Sequence, residues 1–172
     1  CVGDVFSVSG SPGETIVISG GSSQLDYVGA DLGGGSIIVE GAVGNLAARG
    51  MTGGKIEVRG DAGAYLASTA KCGLAHIKGS AGDFAGGAWM GDRFGMLGGA
   101  VVVEGSVGQR AGERMRRGTI IARGAFGPAA GSRMVGGTLW TETGFGAGPG
   151  PLLRRGTLIS PKVDAFLPTF SD

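Results

Sequence analysis

The chain carries few side chains that could do chemistry. His76 is the only histidine, and Cys1 and Cys72 are the only cysteines. One histidine and two distant cysteines do not supply the clustered ligands of a zinc site. No G-x-S-x-G elbow, Ser/His/Asp set or P-loop occurs in the sequence. Asp61, Asp83 and Asp92 are dispersed over the coils, whereas a sugar-cleaving β-helix working by a carboxylate pair needs acids clustered in a groove. Thr119, Thr138 and Thr157 align, which is too short a row for an ice-binding face. Arg114, Arg116 and Arg117 cluster without the interleaved aromatics of a single-strand nucleic-acid platform. Arg110, Arg133, Arg154 and Arg155 likewise fall between expected strands. They suit contacts to carboxylates, where charge-assisted hydrogen bonds are strongest.

What positions these residues is a glycine that returns every 19 residues. A Gly-Gly pair ends at Gly35, Gly54, Gly99 and Gly137, and Gly73, Gly118 and Gly156 hold the same register. The steps are 19, 19, 26, 19, 19 and 19. A period near 20 marks a solenoid, whose single coil cannot bury its apolar face alone. The expected fold is all-β: a single-stranded, right-handed parallel β-helix of about eight coils of ~19 residues, since a left-handed hexapeptide helix prefers a regular six-residue motif. Residues 15–160 form the solenoid with an insertion at 86–95; 1–14 are a lead-in or cap and 161–172 a tail.

Stacking the repeats gives columns. Two places after the register glycine stand Ile37, Ile56, Ala75, Val101, Ile120, Leu139 and Leu158; four places after stand Val39, Val58, Ile77, Val103, Ala122, Thr141 and Ser160. This period of two is that of a half-buried strand, with both columns inward. Val43, Ala62, Ala81, Val107 and Phe126 form a further inward column. Four of the five methionines share another, as gap fillers. The G-x-x-G corners, such as Gly41/Gly44 and Gly60/Gly63, read as turns in left-handed or mirror-β conformation, which glycine enters cheaply. The column Glu40, Arg59, Lys78, Glu104, Arg123 and Glu142 alternates sign along most of its length and reads as register control.

The column between the two strand columns points outward: Ile38, Glu57, His76, Val102, Ile121, Trp140 and Ile159. A solvated face has no need of Ile38, Val102, Ile121, Trp140 and Ile159, so they are candidates for a partner interface. The insertion adds Trp89, Asp92, Arg93 and Phe94, in a loop of the kind that carries recognition.

Thirty-nine glycines among 172 residues do not signal disorder here, because 42% of residues are hydrophobic and mean hydropathy is +0.22. No apolar run approaches the ~18 residues of a membrane span, and no secretory signal is visible. Two cysteines are no disulfide framework, which favours a reduced, cytoplasmic setting. Net charge is +1, split as −3 over residues 1–86 and +4 over 87–172.

The run Gly41-Ala42-Val43-Gly44-Asn45, with Gly50-Met51-Thr52-Gly53-Gly54-Lys55-Ile56 after it, resembles the GXGXG domain. That family includes the C-terminal β-helix of glutamate synthase and the β-helical C-type component of formylmethanofuran dehydrogenase. The segment Gly79-Ser80-Ala81-Gly82-Asp83-Phe84-Ala85-Gly86, with Gly91-Asp92-Arg93-Phe94-Gly95-Met96-Leu97-Gly98-Gly99, resembles the second more. Two settings are implied: the tungsten or molybdenum enzyme of methanogens, and the formyltransferase/hydrolase complex of methylotrophs. Abundant Ala, Arg and Gly lean to the latter. The resemblance implies a non-catalytic scaffold in a hetero-oligomer with amidohydrolase-like and formyltransferase-like subunits. It implies no cofactor on this chain, a methanofuran-type carrier for the complex, and metals in other subunits. Neither nucleic acid nor membrane is an expected partner. Such carriers have polyglutamate tails, which Arg110, Arg114, Arg116 and Arg117 would guide. The rival reading is a spacer domain of a glutamate synthase-like amidotransferase.

Overall fold

The computed structural model describes residues 14–162. The expected lead-in and tail, together with Cys1, fall almost wholly outside the described residues. Eight strands follow one another: β1 (Thr15–Ile18), β2 (Ser36–Val39), β3 (Lys55–Val58), β4 (Leu74–Ile77), β5 (Leu97–Val103), β6 (Arg117–Ala122), β7 (Thr138–Thr141) and β8 (Thr157–Ile159). They form one parallel sheet in chain order. The fold is therefore an all-β solenoid, one strand per coil. Most partners differ by 19 residues, as in Ile37↔Ile56 and Ile120↔Leu139. The insertion makes β4 and β5 differ by 26, as in Ala75↔Val101. The rungs stay aligned across it, and a small irregularity between Leu97 and Ala100 falls in the next pairing, β5 with β6.

The register follows from burial. Ile37, Ile56, Ala75, Val101, Ile120 and Leu139 face inward with Val39, Val58, Ile77, Val103 and Ala122. A one-residue slip would turn both columns to solvent. A second line of bridges, Val43↔Ala62↔Ala81↔Val107↔Phe126↔Phe145, closes another side of the coil. Met51, Met96, Met115 and Met134 are buried. Thr141 replaces the aliphatic of its column and stays satisfied: its Oγ1 donates to Gly124 O at 2.8 Å and accepts the Gly144 N–H at 3.1 Å.

The corner glycines correct the sequence reading. Gly41, Gly44, Gly60 and Gly63 are not among the residues with positive φ. Glycine is needed there because the coils approach too closely for a Cβ. One on Gly60 would lie 2.7 Å from the Ala42 nitrogen, and one on Gly63 2.6 Å from the Gly44 carbonyl carbon.

The left-handed positions lie elsewhere, many of them on large residues. Tyr27, Leu46, Tyr65, Phe84 and Arg110, one per coil, have φ of 61, 61, 59, 59 and 54°. Inter-coil hydrogen bonds hold them so. Along the second coil's arc, Leu46 N donates to Ala64 O on the next coil. Ala48 N donates back to Val28 O, Gly50 N forward to Ser68 O, and Thr52 N back to Leu32 O. Left-handed residues flip alternate peptide planes, so the arc satisfies its donors on both neighbouring coils. Each such residue costs about 1 kcal/mol or more, which the repeated ladder offsets.

Candidate functional site

The strand registry places Val17, Ile38, Glu57, His76, Val102, Ile121, Trp140 and Ile159 in one outward row. The row begins one coil earlier than the sequence columns indicated. Ile38, Val102 and Ile121 are half-buried, while Val17, Trp140 and Ile159 are 55%, 41% and 45% exposed. Val102 to Ile159 make an apolar strip over four adjoining strands.

Glu57 and His76 interrupt the row, and both are bonded within the chain. Glu57 accepts from Lys55 Nζ at 2.9 Å. His76 Nε2 lies 2.7 Å from Glu104 Oε1, and Arg123 Nε lies 2.8 Å from Glu104 Oε2. The Lys55 hydrogen bond holds the Glu57 carboxyl below its ordinary range. The His76 hydrogen bond does the same for Glu104, with Arg123 adding to it. In the charged column, Arg59 pairs with Glu40 at 3.3 Å and Arg123 with Glu104. These are two of the four cross-rung contacts its sign pattern suggested; Lys78–Glu104 and Arg123–Glu142 are not among the ion pairs of the described residues.

Two of the dispersed acids, Asp61 and Asp83, do a corner job, as do Asp26 and Asn45. Asp26 Oδ1 accepts Asn45 N at 2.6 Å, and Asn45 Oδ1 accepts Ala64 N at 2.9 Å. Asp61 Oδ1 accepts Ser80 N at 2.7 Å, and Asp83 Oδ1 accepts Gln109 N at 3.0 Å. Each side chain takes a backbone donor from the coil above, which the spacing of acids alone does not reveal. Among the described residues, no group of three or more His, Cys, Asp or Glu is arranged to hold a metal. No helix there is long and apolar enough to cross a membrane.

The insertion folds back on the coils. Trp89 meets Tyr65 edge-on at 4.7 Å, and Tyr65 stacks on Phe84 at 4.8 Å. Asp92 pairs with Arg49 at 3.1 Å. Phe94 lies between two guanidinium groups, Arg93 at 5.1 Å and Arg116 at 5.2 Å. Trp89, Asp92 and Phe94 are half-buried and Arg93 exposed; Met90 at the tip is 78% exposed.

The four arginines assigned to a carrier tail divide. Arg110 pairs with Glu113 at 3.1 Å and lies over Phe84 at 5.6 Å. Arg117 opens β6. Arg114 and Arg116 stand on either side of buried Met115. Neither has a carboxylate within 4.0 Å among the described residues.

No family model matches the sequence. Over 43 residues the chain is 56% identical to the C-type component of the formyltransferase/hydrolase complex Fhc of Methylorubrum extorquens, a match covering 25% of this chain and 16% of that protein. It also matches a chain in the crystal structure of the formyltransferase/hydrolase complex FhcABCD from the same organism, solved in complex with methylofuran. There the TM-score is 0.94 and the identity 44%, covering 98% of this chain and 63% of the other. This chain thus spans less than two thirds of that relative's length. In sequence and in fold, it is similar to the C-type component of the formyltransferase/hydrolase complex.

Proposed function

We propose that this chain is a scaffold within a formyltransferase/hydrolase complex in one-carbon metabolism. The likeness at 44% identity over 98% of the chain supports this reading. It favours the methylotroph setting over a methanogen dehydrogenase or a glutamate synthase-like spacer. Formyl transfer and hydrolysis take place on amidohydrolase-like and formyltransferase-like partners, which hold the metals, in the cytoplasm. The outward row and the insertion form the contact surface.

Co-purification tests the reading. The tagged chain should bring down distinct formyltransferase-like and amidohydrolase-like chains and be inactive in formyl transfer on its own. A single flavin-containing polypeptide in their place sinks it.

A second reading concerns the carrier. Arg114 and Arg116 lack an acid among the described residues, which favours their guiding the anionic tail of a methanofuran-type carrier. Arg110 and Arg117 take lesser parts, Arg110 being bonded to Glu113. Replacing Arg114 and Arg116 with Ala should raise the KM for the carrier in the assembled complex and leave kcat near its original value. An unchanged KM removes the idea.

A further inference from the structure

We propose that a shallow groove on the last two coils seats an acidic segment of a partner protein, which inserts one apolar side chain between two arginines. The inference rests on the assembly reading above and names a contact surface that reading does not use. The groove is lined by Arg133, Val135, Leu152, Leu153 and Arg154. Its lining is partly apolar: Leu153 packs against the core, and Leu152 beside it is 71% exposed. Its walls are cationic. Neither Arg133 nor Arg154 has a carboxylate within 4.0 Å among the described residues.

The fold does not require these side chains. Arg133 and Leu152 sit where the earlier coils carry Asp31, Gly50, Thr69, Gly95 and Arg114. Gly50, Arg133 and Leu152 all have left-handed backbone, with φ of 67, 53 and 58°. Glycine adopts that conformation most cheaply. Asp31, Thr69 and Arg114 are left-handed too, so the same backbone carries short residues on the first coils and long ones on the last three. Arg154 stands in a column of mixed residues, Gly33, Thr52, Lys71, Leu97, Arg116 and Val135, so the coil does not dictate the side chain there. The backbone of each residue serves the coil in the ordinary way: Arg133 N donates to Pro151 O at 2.8 Å, and Arg154 N to Met134 O at 2.9 Å. Their side chains are left for another task.

Chemistry selects the occupant. Guanidinium groups bind carboxylates through paired, charge-assisted hydrogen bonds. Arginine beside a buried apolar anchor is the composition of an interface centre. An extended polyanion would match the arginines and leave Leu152 and Val135 facing water. A second copy would bring the same two arginines to a symmetric contact and be repelled.

The test uses the tagged chain co-expressed with the other proteins of its complex. Arg133→Glu with Arg154→Glu is one variant and Leu152→Asp another. Lys71→Glu, in the same column as Arg154, is the control. All of these sites are exposed, so the isolated variants should melt like the unaltered chain. Both groove variants should retain at least tenfold less of one partner protein, and the control should retain all of it. Full retention by the groove variants overturns the inference and leaves the assembly reading standing. Retention with loss of binding to a ten-residue oligoglutamate overturns it in favour of an extended anion. An isolated chain that self-associates through the groove overturns it in favour of a second copy. If the unaltered chain brings down no partner, both readings fall.

Discussion

A Cβ on Gly137 would lie 2.8 Å from the Cε methyl of Met115, on the preceding coil. The same relation joins Gly73 to Met51 at 2.6 Å, Gly118 to Met96 at 3.0 Å, and Gly156 to Met134 at 2.8 Å. The glycine period and the methionine column are thus one device: each methionine side chain ends beneath the next coil's glycine. Gly137 also has φ 103°, which L side chains rarely adopt. Gly137→Ala should cost about 2–4 kcal/mol in denaturant unfolding, combining backbone strain with overpacking. In the background of Met115→Ala the same change should cost less, because the strain and the 3.0 Å approach to Gly118 O remain but the methyl contact is gone. Equal costs in both backgrounds would show that the methyl contact plays no part.

The carboxyls of Glu57 and Glu104 are held below their ordinary range by Lys55 and His76. A lowered native value means that the stabilisation is fully present above the unfolded value of ~4.3. It is lost as pH falls through the native value. Glu104→Gln should therefore lower stability more at pH 6 than at pH 3, with Glu57→Gln behaving alike. Melting curves from pH 3 to 6 measure this. A deficit as large at pH 3 as at pH 6 would rule out the ionic origin.

The corner ladder is interrupted at Ala64. Asn45 accepts from Ala64 N, but Ala64 has no side-chain oxygen for the coil above. Ala64→Asn should extend the ladder and stabilise the chain by about 0.5–1 kcal/mol, the usual net value of such a bond. A loss of stability would mean that the corner has no room for the amide.

The sheet was legible because two periods agree in it. The 19-residue step sets the coil and the alternation within it sets the faces, so the buried columns and the outward row could be read from spacing. The arcs were not. Leu46, Tyr65 and Phe84 are left-handed against their own preference, held by bonds to other coils that leave no mark in local sequence. The corner glycines were noticed for the wrong reason, since close approach and left-handed backbone both select glycine. The insertion's contacts were hidden too: Asp92 meets Arg49 43 residues away, outside any repeat.

Those contacts make the insertion a clasp over several coils as well as a surface. Removing the seven residues 88–94 restores a 19-residue step and deletes the Trp89–Tyr65 and Asp92–Arg49 contacts. The remaining chain should still fold, since strand register does not depend on the loop. It should lose about 1–3 kcal/mol, from one aromatic pair and one partly exposed ion pair. Loss of cooperative melting would make the clasp essential to the fold.

The outward row should separate folding from assembly. Trp140 is 41% exposed and Ile121 half-buried, so neither closes the core. Trp140→Ala and Ile121→Thr together should change the stability of the isolated chain by less than about 1 kcal/mol, threonine being a good strand former. A large aromatic at the centre of an interface costs about 2–4 kcal/mol when truncated, and one factor of ten in affinity is about 1.4 kcal/mol. Retention of partner proteins should therefore fall tenfold or more, with both substitutions on the same strip. The row differs from the groove in its salt dependence. Apolar contacts weaken little with added salt, whereas arginine–carboxylate contacts are screened. Assembly by a Trp140/Ile121 variant should be further weakened by roughly 0.5 M salt, because it then rests on the charged contacts alone. If that variant assembles at full strength in both salts, the apolar row is not where partners bind.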